Sequence, residues 1–379
     1  MSDQLTVAVK GTLLGDTDTY YDDLTDRVSS TTFGLSAFGG YTNAQIGFTD
    51  DLSIIDGWLQ SGLGRDITIY SPALTKVWNG FVNKISVQVA GRSTTIGPLT
   101  DLGNQIIASF APVDTALTLP AVGVTSYSAW GTDAISQGKY GVWQKVVTAG
   151  ARDPDEIDYL RDLWLAENAY PKTSNQFSQA GGAVSIILEC AGYFSALRAT
   201  IYAMETSGLV DASDKIAAIL DADANGLFSS ANAAITENVL TVSQYDNSRR
   251  TLLDCIQSVV GLGDALSNRW LFGVYGDRVA HYGPAPSEIE YLFYQADGDD
   301  VFQTAYAPVE PWGVLPGKWL FDPDFMIGRV ATGTPDRQDP RLVFIEDVTV
   351  TGPSSMTING SHLDLLSQKL AQMTMSGGR

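Results

Sequence analysis

From Trp270 to Trp319 the chain carries aromatic residues at short intervals, among them Phe272, Tyr275, Tyr282, Tyr291, Phe293 and Tyr294, between closely spaced glycines and prolines. Such a stretch cannot sustain long helices, because glycine and proline interrupt them and aromatic side chains fit a pleated, half-buried surface. A β region is expected to run to about Ile358. Beyond it, His362 to Met373 reads as a short amphipathic helix with Leu363, Leu366 and Leu370 on one side. No catalytic motif interrupts the β pattern.

The first hundred residues repeat the theme. Ile67 and Ile69 precede Ser71-Pro72, and Val77, Phe81, Ile85, Val87 and Val89 follow it with polar residues between many of them. This is strand, turn, strand. Two reversals compete, because Asn79-Gly80 is a strong hairpin dipeptide while Ser71-Pro72 also breaks the chain. The turn chemistry favours the proline turn, which leaves Gly80 inside one longer strand or at a bulge. Asp51 to Leu59 reads as a short helix or helical turn ending before Gly62 and Gly64.

The clearest helix spans Pro154 to Asn168. Asp153 offers an N-cap, Pro154 takes the first helical position, and Asp155 and Glu156 sit at the positive end of the dipole. Ile157, Leu160, Leu163 and Trp164 recur at three- and four-residue intervals, so one buried face is expected, and Pro171 lies just past the end. Further helices are expected from Ser213 to Leu220 and from Ser248 to Val260, the second stopping at Gly261. The fold class is α+β, mainly β, with a helical middle region. Three segments are expected: an N-terminal β domain over 1–115, a mixed helical and β region over 116–280, and a C-terminal β domain with a short terminal helix over 281–379.

Charge narrows the function. The 379 residues include 23 basic and 43 acidic ones, a net charge of −20, which argues against a tight nucleic-acid ligand held by phosphate neutralisation. Charged residues make up only 17% of the chain and form no long acidic run, so the acidity belongs to folded surface. Met1-Ser2-Asp3-Gln4 lacks the basic and apolar regions of a signal peptide, and retention in a cytosol is expected. Cys190 and Cys255 are then expected as buried thiols. The most apolar stretch, Ala183 to Met204, contains Glu189 and Arg198, which argues against a membrane span.

Residues that could carry chemistry are few. Asp221-Ala222-Asp223-Ala224-Asn225-Gly226 matches the first half of an EF-hand calcium loop, but the last ligand position falls on Asn232, where a bidentate glutamate belongs. The better reading is a helix end running into an Asx-rich turn with Gly226 at positive φ. His281 and His362 lie in no metal-ligand spacing, and there is no nucleophile elbow, phosphate loop or Cys-x-x-Cys pair. A glycosidase-type carboxylate pair cannot be picked out among the 43 acids. Trp270, Trp312 and Trp319 could stack sugars, but aromatics in strands more often fill a core or an interface. The sequon Asn359-Gly360-Ser361 carries weight only in a secreted protein. No catalytic, cofactor-binding or metal residue is assigned, and no hydrolytic activity is expected.

Several blocks carry a family likeness. Trp78-Asn79-Gly80-Phe81-Val82-Asn83, then Gly97-Pro98-Leu99-Thr100-Asp101-Leu102 with Asn104, resembles the first β domain of bacteriophage tail tip hub proteins. Tyr140-Gly141-Val142-Trp143, the helix from Asp153 to Leu165 and Pro171 resemble their next block. Gly263-Asp264, Arg269-Trp270, Tyr275, Arg278 and Tyr282 are similar to their return into β structure, and Leu315-Pro316-Gly317 to a following strand. The resemblance implies tail-tube-like β domains in a baseplate hub ring, a homo-oligomer joining the tail tube to a spike or fibres. Three chains with two similar domains each would match a six-fold tube to a three-fold tip. It also implies a virion protein assembled in the host cytoplasm, with DNA only in transit through a lumen that the net charge keeps from sticking. A distal tail protein, a ring of six, is the runner-up. A β-domain protein that binds or hydrolyses carbohydrate is the reading from a different class.

Overall fold

A computed structural model describes residues 5–11, 22–114, 119–120, 125–177, 184–292, 311–321 and 342–361. The protein is mainly β, and its principal sheet curls into a half-barrel. The backbone of that sheet is a run of eight strands. In spatial order they are Thr173–Phe177, Arg92–Ile96, Lys76–Val89, Ser185–Gly192, Gly39–Phe48, Val28–Ser36, Leu342–Thr351 and Ser355–Ser361, every neighbouring pair antiparallel. Strands from all three expected segments therefore share one sheet. Shorter strands branch from it: Asp66–Tyr70 and then Thr6–Val9 flank the start of Lys76–Val89, and Trp270–Val274 pairs in parallel with Gly39 and Gly40.

The turn between Asp66–Tyr70 and Lys76–Val89 is the one at Ser71-Pro72. The Ser71 N–H donates to the Thr75 carbonyl at 2.8 Å, and the Thr75 N–H donates to the Ser71 hydroxyl at 3.2 Å. Asn79 and Gly80 lie inside the long strand. The bulge sits at Asn83, where the register against Ser185–Gly192 slips between Glu189 and Cys190. Asn83 uses the bulge to accept the Thr100 N–H at 3.0 Å. Gly80 faces Gly192 across the ladder. A Cβ on Gly80 would lie 2.3 Å from the Ala191 carbonyl oxygen, and one on Gly192 would lie 1.8 Å from that of Tyr41. Only glycine lets three backbones approach so closely here. Around this crossing Trp78, Phe81, Ile85, Ile46, Phe48, Leu188 and Tyr193 are fully buried.

Five helices cover the sheet and its flank among the described residues. Helix α1 spans Leu52–Ser61 and ends at Gly62; α2 spans Ala134–Tyr140; α3 spans Pro154–Asn168. The Asp153 carboxylate caps α3 by accepting the Asp155 N–H at 3.0 Å. Its buried face is narrower than its periodicity suggests. Ile157 is buried, but Leu163 is 49% exposed and Tyr159 faces solvent as well. The cause is the surface beneath: α3 lies on a small sheet in which Gln105–Asp114 runs parallel to Gln144–Arg152, and among the described residues the apolar cluster there joins Ile157 to Ala108, Phe110, Val147 and Ala149.

Helices α4, Ala212–Asp221, and α5, Leu252–Val260, form a second layer with buried Ile216, Leu220, Leu252 and Ile256. The expected start of α5 at Ser248 is four residues early. Asp246–Thr251 is instead a strand paired with Ile201–Met204, and the Thr251 hydroxyl caps the helix by accepting the Asp254 N–H at 3.1 Å. Phe293, Tyr294 and the expected helix from His362 to Met373 lie outside the described residues.

The close glycine crossing gives a stability test. Gly192→Ala is expected to cost ~3 kcal/mol, because a backbone carbonyl has to move to admit the methyl. Gly138→Ala in α2, where a Cβ meets nothing within 4 Å, is expected to stabilise by ~0.5–1 kcal/mol. Chemical denaturation of the two variants checks both signs.

Candidate functional site

The residues that could carry chemistry are drawn into structure. Asp223 is largely buried, and its carboxylate accepts the N–H groups of Asn225, Leu227 and Phe228 and the Thr200 hydroxyl, at 2.7 to 3.3 Å. Burial raises its pKa against the pull of those hydrogen bonds. Asp221 accepts the N–H and hydroxyl of Ser230, and Gly226 has φ of 63°. The Asp223 oxygens are thus spent on loop N–H groups and Thr200, and the Asn225 oxygen accepts the Val142 N–H at 2.8 Å, so two of the would-be calcium ligands are committed to the fold. No group of three or more histidine, cysteine, aspartate or glutamate side chains could hold a metal among the described residues.

His281 sits on the strand Ala280–Pro284, edge-on to the Tyr275 ring at 5.2 Å, and partial burial lowers its pKa. His362 lies outside the described residues. Trp270 packs on Tyr282 at 4.7 Å and Trp319 on Phe344 at 5.2 Å, both buried, while Trp312 leans on the main core. The three tryptophans thus pack against protein and offer no open platform. Cys190 and Cys255 are both buried free thiols; burial pushes Cys190 well up, and Cys255 to about 12 with help from Asp246. At neutral pH neither is a nucleophile.

What the fold leaves open is the pair of strands at the ends of the eight-stranded run. Thr173–Phe177 pairs only with Arg92–Ile96, and Ser355–Ser361 only with Leu342–Thr351, among the described residues. All five residues of the first strand are exposed, Phe177 at 79%. The second turns Met356 and Ile358 toward the core and Ser355, Thr357 and Asn359 toward solvent. Neither strand contains a charged residue or a proline.

Monomeric sheet proteins guard such edges with lysine, proline or a bulge, because a row of open N–H and C=O groups is a template for another strand. Here, among the described residues, neither edge strand carries a charge or a proline, and the irregularity in the second ladder lies on its inner partner, between Ile345 and Asp347. Only the second edge lies where the sequence pattern pointed to a strand. Thr-Ser-Asn-Gln-Phe shows no apolar alternation, since both its faces meet water, and the signal that marks it is the charge-free run from Thr173 to Leu188.

The self-satisfied Asp221 loop predicts no tight calcium site. Calorimetric titration with calcium is expected to give no binding in the micromolar range, and micromolar binding lost in Asp221→Ala would reverse that conclusion.

No family model and no curated protein matches the chain. Among solved structures it is similar to the 43 kDa tail protein of prophage MuSo2 from Shewanella oneidensis, with a TM-score of 0.44 and 8% identity over 96% of this chain and 98% of that one. It is also similar to a tail protein from Neisseria meningitidis MC58, with a TM-score of 0.40 and 8% identity over 94% of this chain and 97% of that one. Both neighbours are tail proteins, matched along nearly their whole length.

Proposed function

We propose that the chain is a structural, non-enzymatic component of a bacteriophage tail tip: a hub ring that joins the tail tube to the distal spike or fibres. The observation that carries this reading is the pair of unguarded edges at opposite ends of one antiparallel sheet. With eight strands between and including them, the two edge strands point in opposite directions. Copies related by rotation about an axis along the strands keep their directions, so Thr173–Phe177 of one copy meets Ser355–Ser361 of the next antiparallel. The alternation continues across the joint, and a head-to-tail contact of this kind closes into a ring when the rotation does.

Ring formation also suits the charge. A chain of net charge −20 repels its own copies, and the two edge strands are among the places where backbone hydrogen bonds can form without bringing carboxylates together. The same net charge lets a DNA polyanion pass a lumen without being held. A trimer is the favoured closure. Tube and tip proteins would contact the two faces of the ring, and assembly would take place in the host cytoplasm before incorporation into the virion.

Native mass spectrometry and electron cryomicroscopy of tails test the reading. Three copies at the tip are expected; six would favour a distal tail ring built on the same edges, and a monomer absent from tails defeats both. Proline scanning of the edge tests the joint itself. Of Ser174→Pro and Asn175→Pro, the variant that removes an outward-facing N–H is expected to leave a folded monomer that no longer closes, and an intact ring in both variants would exclude this edge.

A further inference from the structure

A cleft of about 350 Å³ opens where the start of the Gln144–Arg152 strand meets the N-terminus of α5. Gln144 fixes the junction: its N–H donates to the Ala199 carbonyl at 2.7 Å and its side-chain oxygen accepts the Ile201 N–H at 2.7 Å. The lining includes Lys145, Arg198, Arg249 and Arg250, with Asp254 as the one carboxylate. In a chain of net charge −20 this convergence runs against the composition.

The cations are only partly neutralised. Arg250 forms a salt bridge with Asp246 at 2.9 Å, and it is the only one of the four in a salt bridge among the described residues. Lys145 donates to the Asp101 carbonyl. Arg249 lies over the Tyr127 ring at 4.4 Å, and Arg198 is exposed at the end of a short 3-10 turn. Arg249 has φ of 49°, in the left-handed region that residues other than glycine seldom occupy. Asp254 is engaged locally, its carboxylate accepting the Thr251 hydroxyl at 2.7 Å.

Arg198 and Arg249 have no carboxylate partner among the described residues, and Lys145 has only the nearby charge of Asp101, so the charge of the cleft exceeds what a single carboxylate ligand balances. A phosphate group brings close to two negative charges and several acceptor oxygens, which guanidinium forks bind in pairs. The positive end of the α5 dipole adds to the same field. Repulsion from the rest of the acidic surface is screened beyond about 8 Å at physiological salt, so one local site survives the overall charge. We propose that this cleft binds a phosphate group, carried either by free inorganic phosphate or pyrophosphate or by the end of a nucleic-acid strand. The site does not depend on ring closure.

Calorimetric titration of the full chain with inorganic phosphate, with pyrophosphate and with a short oligodeoxynucleotide, with and without a 5′-phosphate, tests the proposal. Saturable binding is expected, weakened about tenfold by Arg198→Gln and by Arg249→Gln, with thermal unfolding unchanged in the exposed Arg198→Gln variant. Tighter binding of the 5′-phosphorylated strand than of free phosphate would assign the ligand to a nucleic-acid end; equal binding would assign it to the free anion. No saturable binding by any of these probes, binding unchanged in both variants, or preference for a glutamate-rich peptide over phosphate overturns it.

Discussion

The backbone ladder of Ser185–Gly192 is the constraint on which the rest of the fold depends. This strand sits between Gly39–Phe48 and Lys76–Val89 and bonds to both along nearly its whole length. Without it the two N-terminal strand systems would each end in an open edge. Its own pattern suits the position: Ile186, Leu188 and Cys190 turn one way into the core, and Gly192 closes the crossing with Gly80. Polar bonds then lock the layers around it. The Asp66 carboxylate accepts the Tyr193 hydroxyl at 2.6 Å and the Asn79 amide at 3.2 Å, tying its own hairpin to the distant segment at Tyr193.

The buried Asn104 does similar work for the flank. Its amide donates to the Gly141 carbonyl at 2.6 Å and to the Ser136 hydroxyl at 3.1 Å, and its oxygen accepts the Trp143 N–H at 2.8 Å. One side chain thereby positions α2, the small sheet and the strand that begins at Gln144. The basic cleft and the outer face of α3 both hang from this flank rather than from the main sheet, so their geometry is set by a few polar bonds.

Legibility in the sequence followed local chemistry. Proline and the Asp153 cap mark both ends of α3, and Ser71-Pro72 outcompetes Asn79-Gly80 on turn chemistry, because proline breaks the chain there while Asn79 and Gly80 stay inside the long strand. The local signal for the start of α5 is Thr251 followed three residues later by Asp254, a cap that competes with Ser248 upstream; what the sequence does not show is the pairing of Asp246–Thr251 with Ile201–Met204, which is a tertiary choice. The exposed stripe of α3 was hidden for a related reason, since periodicity names an apolar face and does not say how wide a surface awaits it. The edge strand Thr173–Phe177 had no period to read. Asp221 to Asn232 was legible as a turn because the loop's own N–H groups are the nearest donors for its carboxylates.

The two open edges are made at very different points along the chain. Thr173–Phe177 can dock on Arg92–Ile96 once the first half is present, whereas the complementary edge requires Leu342–Thr351 and Ser355–Ser361, far downstream. Under the proposed ring contact, a chain still being synthesised would present a socket with no matching plug, and two unfinished chains would not join through it. If the chain closes into the proposed ring, strand order itself acts as quality control: a molecule cut short before residue 342 would accept one neighbour and then stop, leaving an arc in place of a circle.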